Sequence, residues 1–519
     1  MTQSPETTAS RDATALCARP WAAVWSLLIG FFMLMIDASI LSVANPSIQR
    51  GLGASLTETI WVTSAYLLGL AVPLLVAGRL GDRFGQRTMF LIGMAVFTLS
   101  SLACGLAPSV RILIAARAVQ GIGGSLMTPQ SQAVIVRIFP PHRRGAAMGL
   151  WGSVSGIAML IGPVLGGFLV QAAGWQSIFL INVPVGVVGL VLAARFVPKL
   201  PTSRPKFDWS GVILSGAGIL LVVYGLQEGA NRAWRRVWGP VTIPEIIVVG
   251  VLLLVIFVVN QAKADDPLLP LNLFRDRDFS LANSSIFLVG IAVTSMSLPL
   301  LYFVQVARGF DPMLSAVFMM PSAVVGAIIA PMVGARVVAK LGANRVASFG
   351  LIVYSGSLFW MTAYFTPSSN IWLALIPSAI MGVGNACMWS PLAMSATHHL
   401  PPARAGAGAG VYNTVRQVGS TLGSAIMATL MNATLTAHGV SSAIVMGHQI
   451  GVALPPSVSA EFSRAMAQSL YLPCAVALVG AVCAAFLSGQ AGRRSEVNQH
   501  VVSPSFDSSV VPAREGETA

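Results

Sequence analysis

The sequence predicts an all-α polytopic membrane protein of fourteen helices, from composition, from recurring apolar runs and from the placement of its charges. Of 519 residues, 55% are hydrophobic and only 9% charged, with a mean hydropathy of +0.76. A soluble chain carries about 25% charged residues. Apolar runs of about 20 residues recur along nearly the whole length, each long enough to cross a ~30 Å hydrocarbon core. The 50 Gly and 31 Pro suit that class, because both residues are commoner in membrane helices than in soluble ones.

The runs place spans at 22–44, 57–78, 88–107, 110–135, 146–169, 174–195, 209–227, 241–261, 279–303, 313–335, 343–365, 370–395, 405–430 and 466–488. An even number puts both termini on one side. Lys and Arg are enriched in cytoplasmic loops, and the clusters Arg79/Arg83/Arg87, Arg137/Arg143/Arg144 and Arg195/Lys199/Arg204/Lys206 all fall inside if both termini are cytoplasmic. Arg232, Arg235 and Arg236, in an outer loop at 228–239, run against this statistical rule. The net charge of +13 is therefore a topology signal with attraction to anionic membrane lipid, and no nucleic-acid partner is expected. The expected location is the cytoplasmic (inner) membrane.

"GRLGDRFGQRT" at 78–88 and "GARVVAKLGANRV" at 334–346 form a weak internal repeat, each in a very short inner loop. Duplicated bundles are a common transporter plan. The organisation expected is a tail at 1–21, a six-helix bundle at 22–200, two inserted helices at 201–265, a second bundle at 266–490 with an extracytoplasmic loop at 431–465, and a disordered tail at 491–519. The first apolar run lacks a convincing cleavage site and reads as a retained helix. Five scattered Cys show neither metal spacing nor a disulfide framework, and no Walker motif appears. No cofactor, metal or ATP is expected, and a monomer is.

Asp37 is the only acid deep within any of these spans; Glu58 and Glu245 lie at the ends of theirs. A charge at a helix centre costs roughly 2.5–3.5 kcal/mol on insertion scales, so it should face the interior and find a partner. At 1.5 Å per residue Asp37 lies ~22 Å from the inner face and Arg117 ~10 Å from the outer one. In a ~30 Å core these depths nearly coincide. The pair fits two readings, a structural ion pair or a carboxyl that alternates between protonated and ionised forms. Arg416, in "GVYNTVRQVGS" with Asn413, is the third charge within the membrane, either in substrate binding or coupling, or in helix–helix bonding.

Gly156, Gly162, Gly166 and Gly167 with Pro163 give the fifth run close-packing surfaces and a proline kink. Gly78, Gly81, Asp82, Arg83, Gly85 and Arg87 form a tight charged loop, with Asp82 placed to cap a helix or bind an Arg. Trp61, Tyr66, Trp151, Tyr302, Trp389 and Tyr412 are candidates for a broad cavity lining.

Several of these stretches, in this order, resemble the major facilitator superfamily, in particular its fourteen-helix drug:proton antiporter family of the multidrug efflux type. They are "MIDASILSVANPSI", "GRLGDRFGQRT", "RAVQGIGGS" (117–125), "GIAMLIGPVLGGFL" (156–169) and "GWQSIFLINVPVG" (174–186). The departures are Ser42 where Asn is usual, Asn45 where an apolar residue is usual, and Gln86 where a basic residue is common. The resemblance implies the major facilitator fold, two six-helix bundles around a central cavity plus two additional helices. It also implies proton-driven export of small amphipathic, often cationic, compounds and antibiotic resistance, with Arg117 linked to proton movement and Asp37 to coupling. A dedicated exporter of a lipid or metabolite, and a non-transporting sensor or scaffold, are the competing readings; none is an enzyme.

Overall fold

The computed structural model describes residues 19–54, 56–202, 208–231, 236–238, 241–264, 266–310, 312–367, 369–397, 400, 405–440 and 454–488. Most of the N-terminal tail, the whole C-terminal tail, Arg204, Lys206, Arg232, Arg235 and the part of the long loop with His448 lie outside these residues, as do the side chains of Ser42 and Pro163.

Among the described residues nine helices are long and apolar enough to cross a membrane, and the bent pair Trp61–Ala71 and Leu74–Phe84 makes ten. Pro141–Ala173, Pro312–Met332, Ala343–Thr362 and Ala405–Ala437, of 33, 21, 20 and 33 residues, complete fourteen at the expected places. In chain order the spans are the first, Pro20–Leu52; the second, Leu56–Ala71 with Leu74–Phe84; the third, Gln86–Gly105; the fourth, Val110–Ile138; and the fifth, Pro141–Ala173. The sixth is Ser177–Leu180 with Asn182–Phe196, the seventh and eighth Trp209–Asn231 and Ile243–Lys263, and the ninth Arg277–Tyr302. The tenth is Pro312–Met332, the eleventh Ala343–Thr362, the twelfth Leu375–Thr397, the thirteenth Ala405–Ala437 and the fourteenth Tyr471–Ala485. The fifth backbone runs as one helix through Pro163.

The two repeat loops fold alike. Gly85 has φ 94° and ψ 132°, Gly342 φ 86° and ψ 153°, a conformation open to glycine, and each joins two helices without a further linker. Leu27, Phe31, Phe90, Phe97 and Met127 pack together among the first to sixth spans, while Phe303, Tyr354, Leu358, Met388 and Phe462 belong to a core built from residues 282–487. Lipid tails are as apolar as leucine, so close backbone packing and polar bonds must hold such helices together.

Glycine makes the seam between these groups. A Cβ on Gly149 would stand 2.6 Å from the Ala330 carbonyl oxygen, and one on Gly156 3.3 Å from that of Ala323. Between them the Ser153 hydroxyl donates to the Ala327 carbonyl at 2.8 Å. Nearer the Gly85 and Gly342 turns, Gly145 meets the Gly334 backbone and Gly78 meets Gly406 and Gly410. That end of the molecule is closed. The seventh and eighth spans lie across the other seam: Ile219 and Val223 pack on Leu68 and Ala71 of the second span, Val222 and Leu226 on Ala425 of the thirteenth.

Two features go beyond the fourteen-span expectation. A short antiparallel ribbon pairs Arg236 with Thr242 and Trp238 with Val241 between the inserted spans. The segment expected as a loop at 431–465 contains most of the helix Pro456–Ser469, whose Phe462, Ala465 and Met466 are buried in the core. His438 staples this helix to the end of the thirteenth span, with Nδ1 2.8 Å from Glu461 and Nε2 3.1 Å from the Gln468 side-chain oxygen; Arg464 bonds Glu461 at 2.5 Å.

The bonds to Glu461 first and Gln468 second hold His438 protonated above its ordinary 6.5, against a small opposing effect of burial and Arg464. A raised histidine stabilises the fold below its ordinary value, and the gain is lost as pH rises through the raised one. Amide exchange in 456–469, corrected for intrinsic base catalysis, should therefore gain protection below pH 6.5 relative to pH 9. His438→Gln should flatten that dependence; an unchanged profile in the variant would remove the staple from the account.

Candidate functional site

Asp37 and Arg117 meet as their depths require. The Asp37 Oδ2 accepts from Arg117 Nη1 at 2.6 Å, and the two side chains are each 1% exposed. Asp37 sits on the first span, which also carries Phe31, Met33, Leu34 and Ile40, all buried, and is itself shielded from bulk solvent. Its other oxygen accepts from Gln120 Nε2 at 2.9 Å and from Asn182 Nδ2 at 3.1 Å. Three spans, the first, fourth and sixth, thus supply one carboxylate and three donors.

Ser101 and the neighbouring backbone fix the donors. Ser101 Oγ accepts from Gln120 at 3.2 Å and Asn182 at 3.0 Å, and donates to the Phe179 carbonyl at 2.9 Å. Arg117 Nη1 also donates to Gln120 Oε1 at 2.7 Å, and Nε to the Val62 carbonyl at 3.2 Å. The guanidinium lies 4.2 Å from the Tyr66 ring centroid and 5.6 Å from that of Phe179, a cation–π arrangement that suits its otherwise unbonded Nη2. Such buried networks are stable when every member is satisfied and costly when one is removed. Gln120, Asn182 and Ser101 escape a search for charges, although Gln120 and Asn182 stand inside the fourth- and sixth-helix motifs.

The first span is tied to the fifth directly beside Asp37. Ser39 Oγ donates to the Ala158 carbonyl at 3.2 Å, and Gly162 and Gly166 give room for Ser39 and Ile40. Gly156, on the same helix, faces the tenth span instead. Gly167 is half-buried.

At the closed end Asp82 caps a helix far along the chain. Its carboxylate accepts from the backbone N–H groups of Gly406 and Ala407 at 3.0 and 2.9 Å, at the start of the thirteenth span, where the helix dipole favours negative charge. Gln86 Nε2 donates to Asp82 at 3.1 Å and its Oε1 accepts from Arg137 at 2.8 Å. Arg79 donates to the Pro267 carbonyl at 2.8 Å, Arg87 bonds the Ala194 carbonyl, and the Arg83 guanidinium lies 5.4 Å from the Phe84 ring centroid. Gly81 gives way to Gln130. The loop is a clasp between the second, third, fourth and thirteenth spans.

The aromatic candidates scatter. Trp151 is buried and stacked on Phe31 at 3.9 Å, Tyr66 covers Arg117, and Tyr412 is buried in the core of the later spans. Trp61 stacks near Tyr224 of the seventh span at 5.7 Å, Trp389 packs on the later core, and Tyr302 is exposed. In this conformation they form no single cavity wall: close packing has claimed Trp151, Tyr66 and Tyr412. Asn45, one departure from the resemblance, keeps its side-chain oxygen shielded and unbonded. Asn413 Nδ2 donates to Gln132 Oε1 of the fourth span at 2.8 Å, and Arg416 lies one turn further along.

Fourteen spans, a glycine seam and a buried acid with fixed donors define a polytopic membrane transporter. A profile of the Major Facilitator Superfamily matches residues 27–424, and the chain belongs to that family. It is 45% identical over 93% of its length to an uncharacterized MFS-type transporter of Mycobacterium tuberculosis, covering 83% of that protein. It is 33% identical to the tetracenomycin C resistance and export protein of Streptomyces glaucescens, covering 82% of this chain and 79% of that one. A multidrug resistance protein, Stp, of Mycobacterium tuberculosis is 34% identical, covering 79% of this chain and 75% of that one. In fold it is similar to the proton:xylose symporter XylE, with a TM-score of 0.63 at 16% identity, covering 91% and 96% of the two chains.

Proposed function

We propose that this transporter is a secondary active antiporter of the cytoplasmic membrane, exporting small amphipathic compounds, cationic drugs among them, against entering protons. The observation that carries this reading is the Asp37 network: an acid midway along its span, enclosed, with Arg117, Gln120 and Asn182 arranged around its ionised form. Neutralising Asp37 removes the reason for all three donors to point at it. The first span would then be free to shift against Gly162 and Gly166 of the fifth, whose opposite half carries the seam to the tenth.

In this scheme the closed end, with its basic loops and both termini, is cytoplasmic. Residues 22–200 and 266–490 rock as two bundles, and the inserted spans at 201–265 follow them. Release of the Asp82 clasp from Gly406 and Ala407 accompanies opening to the cytoplasm. Proton and substrate couple because each favours one conformation; a ligand equally matched to both would shift nothing. The tetracenomycin and multidrug relatives support export of a foreign or toxic compound. The chain works as a monomer.

The test uses purified full-length protein in liposomes with an imposed pH gradient and an amphipathic dye. Wild type should move dye only with the gradient. Asp37→Asn keeps the volume of the side chain and one of its two acceptor oxygens, so the variant, although destabilised by an unpaired Arg117, should fold and bind dye, yet concentrate none. Gradient-driven accumulation by the variant at the wild-type rate would remove Asp37 from the coupling.

A further inference from the structure

Asp37 and Arg117, both far from the ends of their spans, neutralise each other; Arg416, also well inside its span, has no such partner. Arg416 stands eleven residues after Ala405, the start of the thirteenth span, roughly 16 Å along the helix. It is half-buried, and its Nε is shielded without a hydrogen-bond partner. Among the described residues Arg416 has no carboxylate and no hydrogen bond, while Asp37 is taken by Arg117 and Glu461 by His438 and Arg464. Tyr412 stands one turn back on the same helix. Asp82, on the second span, is committed to the start of the thirteenth, at the far end of that 16 Å.

The ground beside Arg416 is polar and incompletely bonded. Asn413, at i−3 and so on the same helix face, bonds Gln132 of the fourth span, leaving Gln132 Nε2 and Asn413 Oδ1 buried without partners. A buried donor and a buried acceptor without partners therefore stand where the thirteenth span meets the fourth, one helical turn from an uncompensated guanidinium. Unpaired polar groups in a low-dielectric interior are costly, and a guanidinium in particular suits carboxylate, phosphate or sulfonate oxygens two at a time. The acid that a cationic substrate would need is occupied: both Asp37 oxygens are bonded and the side chain is 1% exposed.

We propose that the exported compound carries an acidic head group that pairs with Arg416, with Gln132 Nε2 as the neighbouring donor, and that its apolar remainder lies along the seam between the bundles. The inference rests on the export reading and, within its amphipathic substrate class, puts anions in place of cationic drugs. Exchange of such an anion for an entering proton is electrogenic, and an inside-negative potential favours it in both directions of charge movement.

The experiment measures binding of 1-pyrenebutyrate and its uncharged methyl ester to the full chain in phosphatidylcholine nanodiscs, with empty discs subtracted. Wild type should bind the carboxylate about tenfold more tightly than the ester, the scale of one charge-assisted hydrogen bond. Arg416→Gln should abolish the difference while leaving ester binding, which reports folding, unchanged; Arg416→Lys should keep part of it. Wild type favouring the ester, or Arg416→Gln keeping the ratio, would overturn the proposal, and the first of these needs no variant. Displacement of the bound carboxylate by dihexanoyl phosphatidate would place a lipid phosphate in the site, and resistance to it a soluble acid; both keep the anion site. Gradient-driven dye movement without an anion preference would sink this inference and leave the antiport standing. An Arg416-dependent preference with no gradient-driven movement would do the reverse.

Discussion

Replacing Arg117 with methionine should destabilise the protein by about 3–5 kcal/mol at pH 8, the cost of leaving one member of a buried ion pair uncompensated. The site gives no way around that cost. Asp37 and Arg117 are shielded from solvent, the fit at 2.6 Å is tight, and Gln120 and Asn182 supply neutral donors that cannot cancel a full charge. Loss of the guanidinium also uncovers the Tyr66 ring, 4.2 Å away, and removes a second donor from the Val62 carbonyl. Against a total stability of about 5–15 kcal/mol this is a large fraction. The penalty should shrink in the double variant Asp37→Asn/Arg117→Met, where both charges are gone, and the double-mutant cycle then gives the coupling. Thermal unfolding of the four proteins in one detergent at pH 8 makes the measurement. If Arg117→Met melts with wild type at pH 8, or the double variant is no better than the single, the pair is not holding the helices.

That pair was legible because charge in an apolar run is rare and depth can be counted from helix rise. Gln120, Asn182 and Ser101 were not, since amides and hydroxyls occur throughout membrane helices and only the fold shows which ones converge. Asp82 reads locally as a helix cap, but the helix it caps begins more than three hundred residues away, and no local pattern names it. The span count follows from apolarity because every spanning backbone must satisfy its own hydrogen bonds. The helix Pro456–Ser469 carries Glu461, Arg464 and many small residues, so its apolar face is narrow and its sequence resembles a loop. The aromatic candidates fail for a different reason. A ring in a membrane helix can face lipid, core or cavity with the same local sequence, and Trp151 settles on Phe31 only through tertiary packing.

Adding a side chain at Gly145 should break the closed end without unfolding the bundles. In this conformation a Cβ there would collide with the Gly334 carbonyl oxygen, which belongs to backbone and cannot rotate away, and the Met394 sulfur stands 3.3 Å off. The fifth and tenth spans must separate to admit it, whereas a conformation open at that end has no such contact. Overpacking costs about 1–3 kcal/mol, which displaces a two-state equilibrium by roughly 5- to 150-fold toward the open form. Gly145→Val should therefore slow gradient-driven transport by one to two orders of magnitude, since each cycle must pass through the closed form. Spin labels at Phe84 and Leu341, both exposed at this end, should report a longer mean distance in the variant than in wild type. Gly356→Val is the matched control, because a Cβ there meets nothing within 4 Å. Equal distances and equal transport in wild type and Gly145→Val would mean that this contact is not part of the gate. A longer distance with retained binding would assign the glycine seam to the conformational cycle, since a variant that merely failed to pack would lose binding as well.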